Sequence, residues 1–295
     1  MSWRDGYIAV DWGTTNRRAY LVDKAGTVTE EFEDDCGLMA VAGRGGFDAA
    51  AAEITTRLGD RPMLLAGMVG SNRGWREAAY VPCPAGGSDL AANICWIEPG
   101  RIGIVPGVSQ SGAAGADVMR GEEIQVLGAA AAGLVPPDCL ICHPGTHAKW
   151  IVMAGGRIRS FRTMMTGELF SLLSKHSILA DRLRADAEPD HAFRAAARQA
   201  LAGAELVASL FGIRARFLLG EDREDASAVA SGLLIGSDVR AGLATAEATG
   251  PIVLMGRPEL VELYAAALNE AGRETVEVDG ADAFLAGARM ITEML

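Results

Sequence analysis

Two short stretches carry residue types that suit phosphate. Asp11-Trp12-Gly13-Thr14-Thr15-Asn16 follows the apolar run Tyr7-Ile8-Ala9-Val10, and His143-Pro144-Gly145-Thr146-His147-Ala148 follows Cys139-Leu140-Ile141-Cys142. A Gly-Thr turn offers backbone N–H groups and a hydroxyl, both of which can donate to a phosphate oxygen. One such turn reads equally well as a plain hairpin tip. Two in one chain favour a polyphosphate held between two halves of a protein. Asp11, at a strand end beside such a ligand, suits Mg2+ through water, because magnesium keeps much of its hydration shell. Lys149 follows the second turn and is one of only three lysines among 27 basic residues. It either contacts phosphate or flanks a strand.

The elements that must position these turns repeat. Each turn leads into a second apolar run, Arg18-Ala19-Tyr20-Leu21-Val22 or Lys149-Trp150-Ile151-Val152-Met153, then a glycine turn at Gly26 or Gly155-Gly156, then a third extended run. Further strands are expected at Met63 to Ala66, Arg101 to Val105, Arg216 to Leu219, Ile252 to Met255 and Glu274 to Val278. Helices are expected over Phe47 to Leu58, from near Asp117 to Ala132, over Leu169 to Leu179 and His191 to Phe211, after Pro258, and over Gly280 to Leu295. Leu169, Leu172, Leu173 and His176 would form one buried face. Pro136-Pro137 breaks the chain, giving lobes over residues 1–135 and 136–295. This is α/β organisation in two similar lobes.

Bulk properties exclude several classes. The chain has 295 residues, 49% of them hydrophobic and 22% charged, which is globular composition. A formal net charge of −11 gives no support to a nucleic-acid partner. No apolar stretch at the start suits a signal peptide, and the longest apolar run, Val126 to Val135, is too short to span a bilayer. A cytoplasmic protein with reduced thiols at its five cysteines is expected. Cys139 and Cys142, three apart on a strand, point to opposite faces and read as buried small hydrophobes. There is neither a G-x-x-x-x-G-K-[ST] loop nor a G-x-G-x-x-G after a strand.

The two Gly-Thr units, the turn Met255-Gly256-Arg257-Pro258 and the small-residue helix with Ser231, Gly232 and Gly236 resemble the sugar kinase / Hsp70 / actin superfamily. More closely, the chain resembles the 2-dehydro-3-deoxygalactonokinase family. The matching stretches are Asp11-Trp12-Gly13-Thr14-Thr15, Gly70-Ser71-Asn72-Arg73-Gly74-Trp75, Tyr80-Val81-Pro82-Cys83-Pro84, Asp117 to Glu123, Pro144-Gly145-Thr146-His147-Ala148-Lys149-Trp150 and Met165-Thr166-Gly167-Glu168-Leu169-Phe170. They run from residue 11 to residue 170, and the last three are the specific ones. The resemblance implies a two-lobed actin-like (ribonuclease H-like) ATPase fold with a duplicated mixed-sheet core. It also implies ATP-dependent phosphorylation of the 6-hydroxyl of 2-dehydro-3-deoxy-D-galactonate.

The resemblance then distributes roles. The two loops bind β- and γ-phosphates and the later glycine turn binds adenosine. The ATP set is therefore Asp11, Gly13, Thr14, Thr15, Asn16, Gly145, Thr146, His147, Lys149, Gly256 and Arg257. Many superfamily members carry an aspartate where this chain has His143, which leaves Asp11 as the main contact for Mg2+. Asp117 stands where similar sugar kinases carry a catalytic aspartate, and is the expected base; an N-cap is the competing reading. Glu122 and Glu123 read as first-turn helix charges, either of which can reach magnesium. The substrate carboxylate calls for an arginine, with Arg73 first and Arg120 and Arg162 next, each also readable as a surface charge. Ser71, Asn72 and Trp75 can hydrogen-bond or stack on the sugar. Glu168 is either a substrate-hydroxyl acceptor or a first-turn acid. The partners expected are a small-molecule sugar acid and, allowed for though read from no motif, a second copy in a homodimer. A kinase for another 2-keto-3-deoxy acid, such as the gluconate-derived epimer, and a non-catalytic sugar or nucleotide sensor are the alternatives.

Overall fold

The protein is described here from a computed structural model covering residues 2–112, 115–221, 225–246 and 250–295. Contacts divide the chain into two compact units. The first joins Met1–Pro137, Ala154–Ser160 and Gly280–Leu295, and the second joins Asp138–Met153 and Phe161–Asp279. The last helix, read from the sequence as part of a second lobe, thus belongs by its contacts to the first unit.

Unit 1 contains strands β1 (Gly6–Trp12), β2 (Arg17–Asp23), β3 (Val28–Asp34), β4 (Met63–Gly67), β5 (Tyr80–Pro82), β6 (Cys95–Glu98), β7 (Ile102–Ile104), β8 (Gly107–Gln110) and β9 (Asp117–Met119). Its main sheet has the order β3-β2-β1-β4-β7-β6, and β5-β8-β9 form a small second sheet. β1 is antiparallel to β2 and parallel to β4. Its apolar run is buried throughout, as expected of a central strand covered on both faces. Helices α1 (Leu38–Val41), α2 (Phe47–Leu58), α3 (Gly87–Ala92) and α4 (Glu122–Ala131) follow in chain order. Ala51, Ile54 and Leu58 of α2 recur at helical spacing and pack with Val10, Leu65 and Ile104 in one core.

Unit 2 contains β10 (Cys139–His143), most of β11 (Ala148–Ala154), the second half of β12 (Arg157–Met164), β13 (Ile252–Met255) and β14 (Thr275–Val278), in the order β12-β11-β10-β13-β14. β10 is antiparallel to β11 and parallel to β13, so the pattern of β1 with β2 and β4 occurs twice. Its helices are α5 (Thr166–His176), α6 (His191–Leu201), α7 (Leu206–Leu218), α8 (Ala226–Leu243) and α9 (Pro258–Glu270). The terminal helix α10 (Gly280–Thr292) lies in unit 1.

Glycines set the two tightest helix crossings. A Cβ at Gly128 of α4 would lie 2.2 Å from the Gly287 nitrogen, and one at Gly287 would lie 2.1 Å from the Ile124 carbonyl oxygen. The backbones of α4 and α10 therefore touch. In unit 2, Gly232 and Gly236 of α8 similarly meet the carbonyls of Phe193 and Ala197 on α6.

Four expectations need correction. The segment His191 to Phe211 is two helices, because Gly203 takes φ +94° and ends α6. Arg216 to Leu219 is the end of α7 and not a strand. On α5 the packed residues are Phe170 and Leu173, whereas Leu169 and Leu172 are 41% and 45% exposed and His176 is exposed as well. Asp117 lies in β9, paired with Gln110 of β8, and the helix after it starts only at Glu122, behind Gly121 with φ +106°. The N-cap reading of Asp117 is thereby removed.

Candidate active site

The first Gly-Thr loop joins β1 to β2, and its carbonyls are taken by the protein. Asn16 O accepts from Gly13 N at 2.9 Å, while Thr15, Gly13 and Thr14 carbonyls accept from Gly37, Leu38 and Met39 N–H groups at 3.0 to 3.1 Å. Among the described residues the N–H groups of Thr14 and Thr15 have no acceptor, and both residues are exposed. The loop is thus rigidly held and presents donors. Gly37 has no tolerance for a side chain, since a Cβ there would lie 2.2 Å from the Thr15 carbonyl carbon. Arg17, the next residue, is fully buried and donates to Asp34 at 2.7 Å, Glu53 at 3.2 Å and the Ala50 carbonyl at 2.8 Å. Arg17 is buried while its two carboxylate partners are partly exposed, and these bonds anchor the loop to α2 and β3.

Asp11 stands at the end of β1, opposite Arg18 of β2 and Ala66 of β4. Among the described residues its carboxylate receives no hydrogen bond, because the Arg18 guanidinium is committed to Glu33 at 2.6 Å. Burial raises its pKa to about 6, with Arg18 acting against that rise and Glu122 and Glu33 adding to it. A Cβ at Gly67 would lie 3.5 Å from Asp11 Oδ1, and one at Gly121 would lie 3.3 Å from the Gly67 Cα. Two glycines therefore keep the space beside this carboxylate open. An unpartnered carboxylate next to open space, with further acids nearby, fits a hydrated divalent cation.

Glu123, in the first turn of α4, is fully buried; Oε2 accepts from Gly121 N at 2.7 Å and Oε1 has no partner among the described residues. Burial, with Glu122 adding to it, raises its pKa to about 8 from the ordinary 4.5. A folded-state pKa above the unfolded one means that stability present at low pH is lost as pH rises from about 4.5 to about 8. Glu123→Gln, which mimics the protonated form, should melt at the same temperature as wild type near pH 4. It should melt at a higher temperature above pH 8, read by thermal melts across that range.

The loop after β4 is folded on itself. Trp75 N donates to the Val69 carbonyl at 2.8 Å, Gly74 N to the Ser71 carbonyl at 2.9 Å, and Arg73 N to Ser71 Oγ at 3.3 Å. Ser71 is buried, and Asn72 and Arg73 are exposed. Trp75 stacks on Phe47 with centroids 6.1 Å apart, which gives it a packing use in the unit 1 core. Arg120, just after β9, is differently placed. Its guanidinium lies over the Tyr80 ring at 4.4 Å and donates one bond to the Ala78 carbonyl at 2.7 Å. Its Nε and Nη1 are buried without partners among the described residues, and Nη1 lies 2.8 Å from where a Gly70 Cβ would be. This is a preset cation with two free donors.

In unit 2 the second Gly-Thr loop joins β10 to β11, with His143 paired opposite Lys149. Glu168 N donates to the Thr146 carbonyl at 2.9 Å, and a Cβ on Gly167 would lie 2.5 Å from the Gly145 carbonyl oxygen. His147 Nε2 meets Glu168 Oε2 at 2.6 Å, so Glu168 is tied to the loop itself. Lys149 is buried and donates to the His147 carbonyl at 3.1 Å. A Cβ on Gly256 would lie 2.9 Å from the Pro144 carbonyl oxygen, which brings the turn after β13 against the same loop. Arg257 is exposed at the start of α9, and Arg162 is exposed on β12. Gly145, Thr146, Gly167, Arg257 and Tyr264 line one cavity of about 690 Å3, a volume usual for small-molecule sites.

Residues 11–291 match the family described as 2-keto-3-deoxy-galactonokinase. The chain belongs to this family. It is 37% identical over 288 residues to the 2-dehydro-3-deoxygalactonokinase of Escherichia coli K12, covering 97% of each chain. A crystal structure from Sinorhizobium meliloti, provisionally named for the same activity, superposes with a TM-score of 0.91 at 33% identity, covering 98% of both chains. The 2-hydroxyisocaproyl-CoA dehydratase activator of Clostridium difficile shares only the fold, with a TM-score of 0.54 at 10% identity over 98% of this chain and 95% of that one. The chain is therefore a carbohydrate kinase of actin-like α/β fold, as the resemblance implied. Sequence reading had passed over Gly37, Gly121 and Arg17. Of these only Gly121, inside a family stretch, carried a signal.

Proposed function

We propose that the protein transfers the terminal phosphoryl group of ATP, with Mg2+, to the 6-hydroxyl of 2-dehydro-3-deoxy-D-galactonate, as a cytoplasmic enzyme of galactonate breakdown. The observation that carries the substrate is the near-full-length relation to the Escherichia coli enzyme of that name. Site geometry supports the roles. Thr14 and Thr15 in unit 1, in a turn that Gly13 and Asn16 close by their own hydrogen bond, and Gly145, Thr146 and His147 in unit 2, offer donors to phosphate oxygens. Phosphoryl transfer asks mainly for such positioning and charge neutralisation. Lys149 stiffens the second loop from beneath. Glu168 orients His147, and Gly256 with Arg257 borders the adenosine. Asp11 would hold Mg2+, which when bound neutralises phosphate charge and orients the group to be transferred.

Asp117 takes the proton from the 6-hydroxyl. Its place at a strand end, clear of any helix terminus, supports a role other than capping. Arg120 receives the substrate carboxylate, because it alone of the three candidate arginines has buried donors without partners among the described residues. Ser71, Asn72 and Arg73 border the sugar. Arg120→Leu should raise KM for the sugar acid about 100-fold and leave KM for ATP unchanged, with Arg120→Lys recovering only part, since lysine lacks the bidentate fork. Steady-state kinetics with each substrate varied will read this. A rise on Arg73→Leu with none on Arg120→Leu would move the carboxylate to Arg73.

A further inference from the structure

Helix α8 is buried along nearly its whole length, and Asp238 is its one buried charged residue. No part of the mechanism above uses it. Three donors from three different elements converge on its carboxylate. Oδ1 accepts from the Trp150 indole N–H at 2.6 Å, and Oδ2 accepts from the Tyr264 hydroxyl at 2.5 Å and from the Thr166 hydroxyl. Trp150 is on β11, directly after the second Gly-Thr loop, and its indole fills the space where a Gly242 Cβ would lie, 1.9 Å from Cε2. Thr166 opens α5, one residue before the Gly167 that packs on Gly145 and Thr146. Tyr264 is on α9, the helix that begins after the Gly256-Arg257 turn. Thr166 and Tyr264 both line the unit 2 cavity, and Asp238 does not.

We propose that Asp238 is the positioning residue of the nucleotide site, setting the second phosphate loop, the start of α5 and the wall formed by α9 at fixed spacing without touching the ligand. The inference rests on the reading that this cavity takes the adenine nucleotide. A buried carboxylate with three donors is costly to assemble and unforgiving to disturb, since losing it leaves three buried donors without an acceptor. Such groups specify one arrangement where an apolar core would tolerate several. An asparagine serves almost as well here: its oxygen can accept from the indole, and its amide can donate to two hydroxyls free to rotate. Geometry and not charge is what the site requires.

The test measures ATP affinity by calorimetry and KM for the sugar acid by kinetics, on the full chain, for wild type, Asp238→Ala, Asp238→Asn and Tyr264→Phe. Asp238→Ala should weaken ATP about tenfold or more while KM for the sugar acid stays within about twofold. Asp238→Asn should restore ATP affinity to within about threefold of wild type. Tyr264→Phe removes only the hydroxyl bonded to Asp238, and should show a smaller loss confined to ATP, which keeps the question open to experiment if the alanine variant does not fold. Loss of ATP affinity and sugar-acid KM together, or no change in ATP affinity in Asp238→Ala and Tyr264→Phe, would overturn the role of Asp238. Failure of wild type to bind ATP would instead overturn the nucleotide reading beneath it.

Discussion

Replacing Asp117 by asparagine should lower kcat by about three orders of magnitude while the dissociation constant for ATP changes less than about twofold. The amide keeps the shape of the side chain and its bond to the neighbouring backbone, where Oδ1 accepts from Val118 N at 2.8 Å. What it loses is the ability to take a proton. General-base removal of this kind costs about 10²–10⁴ in rate. Asp117 sits on β9 and caps no helix, so the loss of a helix cap does not enter the result. Thermal melts should show the variant folded as wild type, and unchanged turnover would remove Asp117 as the base.

Asp11→Asn should raise the Mg2+ concentration for half-maximal activity by about 100-fold. The reason is local. The wild-type carboxylate has no hydrogen-bond donor among the described residues and is raised to a pKa of about 6 by burial, which is consistent with the Mg2+ contact proposed for it. Asparagine offers the same outline with no charge. Folding should not suffer, since the amide removes a buried charge that accepts no hydrogen bond among the described residues. Titration of activity with Mg2+ at saturating ATP reads the effect, and an unchanged Mg2+ requirement would take the cation away from Asp11.

Much of the fold was legible because its signal is local. Two apolar runs, each closed by a Gly-Thr turn and followed by a meander, produce β1–β2 and β10–β11 with the same pairing and the same parallel neighbour. Pro258 starts α9 where its missing N–H costs nothing. Legibility failed where a single residue outweighs the pattern. Gly203 splits an alanine-rich run into α6 and α7, and Gly121 delays α4 so that Asp117 falls in a strand. It failed again where tertiary contact decides. The face of α5 looks equally apolar on two sides, and only packing against α7 and α8 selects Phe170 and Leu173. The unit to which α10 belongs depends on the Gly128–Gly287 contact between segments far apart in sequence. At the candidate site, residue types near the loops could be named in advance. Which arginine keeps free donors, that Trp75 is stacked on Phe47, and that Asp238 gathers three donors are facts of three-dimensional neighbourhood, with no periodicity or spacing to announce them.

The most direct test of the account is ADP release by the purified protein, with ATP and Mg2+, over a panel of 2-keto-3-deoxy sugar acids, with the position of the new phosphate determined on the product. The account predicts turnover that is fastest with 2-dehydro-3-deoxy-D-galactonate and a phosphate on its 6-oxygen. Faster turnover of the gluconate-derived epimer would contradict the substrate assignment, and no turnover with any member of the panel would contradict the kinase reading of this chain.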